Sequence, residues 1–154
     1  MANPFQFSSG DVLTAADLNS IGDWTAWTPT WTNLSVGNGT VTAVYAEVNE
    51  IVFYQIEILW GSTTSASGSI RCTAPVTMET TQDFHPGDTA ALYDVGSSIY
   101  TGTTLVLDDS GTKIFWYHNN TSGTFANVNA TVPFTWTTND LAMASGFYRR
   151  TATT

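Results

Sequence analysis

Charge is scarce in this sequence, and positive charge is scarcest: of 154 residues only 11% are charged, and Arg71, Lys113, Arg149 and Arg150 stand against 13 acids. A net charge of −9 leaves nothing like the basic stripe that a phosphate backbone requires, so nucleic acid is not expected as a partner. The acids are scattered rather than blocked, which suits solubility and mutual repulsion of free subunits better than an acidic binding tail. One cysteine, Cys72, excludes an intrachain disulfide framework. Flanked by Ile70 and Ala74, it reads as a small buried hydrophobe and not as a reactive thiol. The sequence has no run of 18 apolar residues and no basic start followed by an apolar stretch, so neither a membrane span nor a signal peptide is expected.

Catalytic patterns are missing too. Nucleophilic catalysis needs a Ser or Cys with a His base and an orienting acid, but there is no G-x-S-x-G elbow, and His85 and His118 fall in different elements. No phosphate-cradling glycine loop or dinucleotide fingerprint occurs, so no cofactor is expected. The densest set of metal-type residues, Asp83-Phe84-His85-Pro86-Gly87-Asp88, matches no zinc or EF-hand spacing and carries the Pro-Gly of a turn. Asp108 and Asp109 are adjacent turn formers, whereas a retaining glycosidase needs two carboxyl groups about 5 Å apart on facing elements. The reading is therefore of a protein without catalytic, cofactor or metal residues.

What the sequence has in surplus is threonine, at 27 positions, and aromatic residues, at 13%. Both suit a pleated, half-buried surface. From Trp24 onward the hydrophobic period is two: Val52, Tyr54, Ile56, Ile58 and Trp60 alternate with positions that include Gln55 and Glu57. Val132, Phe134 and Trp136 alternate with Thr131, Thr135 and Thr137 in the same way. Further strands are expected over 27–34, 40–48, 67–73, 89–95, 99–107, 112–118 and 141–148, about nine in all. Asn49-Glu50, Gly37-Asn38-Gly39, Gly61 to Thr64, Asp108 to Gly111 and Asn119 to Gly123 supply the turns, with Asn49 where a positive φ is needed. Many short strands without intervening helical runs predict an all-β, antiparallel β-sandwich of jelly-roll type over 24–149. Residues 150–154 form a polar, frayed tail. Trp60, Trp116 and Trp136 are expected to fill the core; Trp24, Trp27 and Trp31, at the start of the sandwich, are candidates for a subunit or glycan contact.

Residues 1–23 differ in kind. Thr14 with Asp17 three residues on resembles a capping box, Leu13 and Leu18 occupy staple positions, and Gly22 closes the segment, predicting a short arm with one small helix of about two turns. Such a helix is marginal alone and must lie on another surface. Phe5, Phe7, Leu13 and Leu18 are its candidate contacts.

The string Phe7-Ser8-Ser9-Gly10-Asp11-Val12-Leu13-Thr14-Ala15-Ala16-Asp17-Leu18-Asn19 resembles a motif near the start of tail-fibre, baseplate-associated and other small virion proteins of tailed bacteriophages. Trp27 to Leu34, Gly37 to Val41, Trp60 to Thr64 and Ala74-Pro75-Val76 are similar to the β-domain that often follows it. The resemblance spans residues 7–76 and implies a non-enzymatic virion protein, assembled in the bacterial cytoplasm. Its arm is expected to dock onto other virion proteins, and its β-domain to project, commonly as a homotrimer. Tail association with host contact or tail assembly is the leading expectation, the host ligand being a surface glycan or protein. Capsid decoration as a head fibre is the alternative, and a carbohydrate-binding module or glycan-active enzyme the third reading.

Overall fold

A computed structural model describes residues 10, 12, 14–16, 20–79, 84–85, 88–109 and 112–151. Its strands are β1 (Thr25–Ala26), β2 (Trp31–Ser35), β3 (Thr40–Val48), β4 (Ile51–Leu59), β5 (Ser65–Thr73), β6 (Phe84–His85), β7 (Thr89–Asp94), β8 (Ser98–Asp108), β9 (Thr112–Asn119), β10 (Phe125–Asn127) and β11 (Leu141–Arg149). They form one antiparallel sheet in the order β1-β3-β4-β11-β7-β8-β9-β5-β2, with β10 beside β9 and β6 beside β8, curled into a half-barrel. All-β, antiparallel architecture is as the alternation predicted.

The curl originates in one long bent hairpin. Val48 pairs with Ile51 around Asn49, whose φ is +54°, and β3 runs against β4 from there to Thr40 opposite Leu59. The two chains then pass through 36–39 and 60–64 and pair again as β2 with β5. One half of this ribbon joins β11 and the other joins β9, so the ribbon wraps from one end of the sheet path to the other. Asn38 clasps the bend: its Oδ1 accepts from Thr63 N and Oγ1, both at 2.9 Å, and its Nδ2 donates to Ser62 Oγ at 3.0 Å. Only glycine fits at 61, where a Cβ would lie 2.3 Å from Asn38 Oδ1 and 2.5 Å from Gly39 N.

The pairings also fix the two ends of the half-barrel. β2, β4, β7 and β9 run from a base, where the 48–51 turn and Arg149 lie, to a top, where β3, β5, β8 and β11 begin. The chain enters at the base through β1, on Tyr45. The top carries the bend, the β7–β8 and β9–β10 turns, and the segment 128–140. Asp140, fully buried, ties that segment down by accepting from Val95 N and from Thr137 N and Oγ1.

Inside, Val52, Tyr54, Ile56 and Ile58 of β4 join Leu92, Val106, Ile114, Trp116, Ile70 and Tyr148 in one core. Burying each such side chain contributes on the order of 1.5–3 kcal/mol. Trp60 stacks on Trp136 with centroids 4.3 Å apart, and Phe134 sits 4.4 Å from Trp136, so these aromatics close the top of the core.

Three expectations are corrected. Residues 132–136 are not a strand: Pro133, in a cis bond, has no N–H for a ladder, and the segment spans the top while Phe134 and Trp136 point inward. The strand expected over 27–34 begins only at Trp31: residues 27–30, with Pro29 buried, cross from β1 at one end of the sheet path to β2 at the other. The small helix of the arm is not seen: among the described residues only Ala15 and Ala16 are helical, although Ser20 N donates to Ala16 O at 3.0 Å. Of the described apolar residues there, Val12 is 82% and Ile21 45% exposed.

Candidate functional site

The outer face of β3, β4, β11 and β7 carries the features most suited to a ligand. Register sets its rows: Thr42, Glu57, Met143 and Ala91 in one, Val44, Gln55, Ser145 and Thr89 in the next, and Ala46, Phe53 and Phe147 in the third. A hollow of about 430 Å³ lies over Gln55, Glu57, Ala91 and Met143 of these rows. A second hollow of about 320 Å³ shares Gln55, Thr89 and Ser145 with it and is rimmed by Trp24, Phe53 and Phe147. These three rings are 51%, 39% and 53% exposed, and Phe53 and Phe147 lie 6.1 Å apart at 44°.

Beneath this rim is a buried polar cluster. Asp88 precedes β7 on its inner side, and its carboxylate accepts from Tyr54 Oη at 2.5 Å and from Phe147 N at 3.1 Å. Tyr54 Oη also meets Thr104 Oγ1 at 2.7 Å, and Thr103 Oγ1 donates to Asp88 O at 2.5 Å. The carboxylate occupies the space a side chain at 146 would take: a Cβ on Gly146 would lie 2.0 Å from Asp88 Cγ. The cluster pins the Phe147 backbone, and thereby the rim, to the core.

Burial, then the adjacent Asp88 charge, raises Tyr54 well above the ordinary value of 10.0. Burial also raises Tyr148, whose Oη donates to Val76 O at 2.7 Å, and raises Cys72 from its ordinary 9.0. Each group therefore keeps its proton in the folded state at a pH where the unfolded chain releases it. The stability they contribute is complete below the unfolded values of 9.0 and 10.0 and is lost as pH rises above them. Each group's loss is about 1.4 kcal/mol per pH unit. Urea midpoints should fall steeply above about pH 10, with about a third of the slope removed by Tyr148→Phe. A midpoint indifferent to pH across that range would contradict the buried placement.

The residues singled out in the sequence are dispersed. Phe5, Phe7, Leu13 and Leu18 lie outside the described residues, as do Asp83, Pro86, Gly87 and the side chains of His85 and Asp108. Trp24 is on the rim, whereas Trp27 packs edge-on against Tyr45 at 6.1 Å, and Trp31 packs on the core. Asp109 is held by Arg71 at 2.6 Å. His118 is half-buried, with Nδ1 3.3 Å from Thr101 O and its ring edge-on to Tyr100. Among the described residues no three His, Cys, Asp or Glu side chains are placed to hold a metal ion, and no helix is long and apolar enough to cross a membrane.

Sequence reasoning passed over Phe53, Phe147 and the pair Asp88–Tyr54. The local pattern did not set the two phenylalanines apart, because Ile51 and Leu59 in β4 and Leu141 and Met143 in β11 are apolar on the same parity. Asp88 carried no local signal either, since its partners are 34 and 59 residues away along the chain. Compared with known proteins, the chain matches no family model, no curated protein and no solved structure.

Proposed function

We propose that this chain is a non-enzymatic structural and adhesive protein of a tailed-phage particle, tail-associated and engaged in host contact or tail assembly. The arm, including Phe5, Phe7, Leu13 and Leu18, docks on neighbouring virion proteins, and the β-domain projects, three copies together. Multivalency then turns weak single contacts into firm attachment when geometry lets the copies engage at once. The observation that carries this reading is the polarity of the fold. The arm joins at the base, while Val95, Ile99 and Phe125, 45%, 67% and 60% exposed, sit at the top turns, the far end of a projecting domain. The bent ribbon, which sets the β3–β4 half of the sheet across the core from the β2–β5 half, supports a jelly-roll-like sandwich as the finer description.

Deleting residues 1–22 should leave a folded β-domain that no longer joins particles. Normal incorporation of the truncated protein would refute the anchoring role. Immunogold labelling of intact particles locates the full chain: gold on the tail supports the proposal, and gold spread over the head replaces it with capsid decoration.

A further inference from the structure

We propose that the double hollow on the outer flank is a binding site for a neutral glycan chain. In this site Phe53, Phe147 and Trp24 stack on sugar rings while Gln55, Ser145 and Thr89 exchange hydrogen bonds with hydroxyls. This deepens the host-contact reading and rests on it for its biological meaning, but the chemistry stands on four features of the flank.

The first is the pairing of surfaces. A pyranose presents an apolar C–H face and a ring of hydroxyls, and the flank presents aromatic faces beside uncharged donors and acceptors. Phe53 and Phe147 lie in the row next to Gln55 and Ser145, one two-residue step along β4 and β11. The contiguous hollows, about 430 and 320 Å³, fall in the range of small-molecule clefts. The second is charge. No cation lines either hollow, Glu57 is the acid of the open floor, and Asp88 below is already engaged by Tyr54 and Phe147 N. With a net charge of −9, the protein repels a polyanionic polymer and leaves a neutral one unopposed.

The third is rigidity. Both phenylalanines stand on the paired central strands β4 and β11, and Asp88 holds the Phe147 N–H, so little ordering remains to be done on binding. The fourth discriminates against a second copy of the chain as occupant. A second copy docking through the same flank would bury Glu57 and bring no Lys or Arg from its own hollows to pair with it.

The test is native gel electrophoresis of the purified full chain through gels containing dissolved dextran, soluble starch or laminarin, with dextran sulfate as the anionic contrast. Retardation by at least one neutral polymer and none by dextran sulfate is expected. Phe147→Ala and Gln55→Ala should each weaken retardation by about tenfold, while Ile99→Ala, on an exposed side chain at the top, leaves it unchanged. Folding of each variant is checked by near-ultraviolet circular dichroism. Absence of retardation in all three neutral gels overturns the proposal, as does equal loss in Phe147→Ala and Ile99→Ala. Light scattering that shows Phe147→Ala dissociating an oligomer also overturns it, making a second copy the occupant. Because the assay uses isolated protein, its failure leaves the particle-labelling result untouched, and the converse also holds.

Discussion

Gly146→Ala should destabilise the protein by about 3 kcal/mol, a drop in Tm of roughly 6–12 °C for a chain of this size. The added methyl would sit 2.0 Å from Asp88 Cγ and 2.1 Å from its Oδ1, and neither partner can yield cheaply. Asp88 is held from both sides by Tyr54 and the Phe147 N–H, and Gly146 is mid-strand, opposite Tyr54 in the β4–β11 ladder. Asp88→Ala alone should cost about 2–3 kcal/mol, because the buried Tyr54 hydroxyl and the part-buried Phe147 N–H both lose their carboxylate acceptor. The decisive measurement is the double variant. With the carboxylate gone, the methyl at 146 has space, so Gly146→Ala in the Asp88→Ala background should cost under about 1 kcal/mol, a non-additivity of about 2 kcal/mol or more. Additive losses in urea unfolding would mean that the glycine is needed for some other reason.

The second large effect is expected at the bend of the ribbon. Gly61→Ala places a methyl 2.3 Å from Asn38 Oδ1 and 2.6 Å from the Asn38 carbonyl carbon, and the crowding involves backbone that cannot rotate away. Relief requires the 36–39 and 60–64 segments to part, which breaks the Asn38–Thr63 hydrogen bonds that clasp them. A loss of about 3 kcal/mol is expected, since overpacking and lost hydrogen bonds add. Gly96→Ala is the control. Gly96 has a φ of +87° with nothing within 4 Å of a Cβ, so only backbone strain of about 1–2 kcal/mol applies. Similar thermal shifts for the two variants would show that the bend does not depend on close approach.

Much of the fold was legible because strand formation here is a local property. The parity of Val52, Tyr54, Ile56 and Ile58 against Gln55 and Glu57 already separates an inner face from an outer one, and Asn49 marks its turn by tolerating a positive φ. The same rule failed at Val132, Phe134 and Trp136. Inward-facing aromatics spaced by two produce the strand pattern whether or not a neighbouring strand is there to pair, and Pro133 was the local sign against it. The candidate site was legible in part: Trp24 stood out by type, but Phe53 and Phe147 lie 94 positions apart and became one rim only when β4 paired with β11.

Composition and period alone determined that this chain is an antiparallel β protein, poor in cations and without a disulfide framework, since those properties depend only on which residues are present and how they alternate. Tertiary structure decided the order of the strands, the bend that curls the sheet, and the hollow on its outer flank. Each of these arises from contacts between residues far apart in the chain: Asn38 with Thr63, Tyr54 with Asp88, Phe53 with Phe147. Local propensity sets the direction in which a side chain points along its own strand, and only the register between strands sets which side chain it meets there.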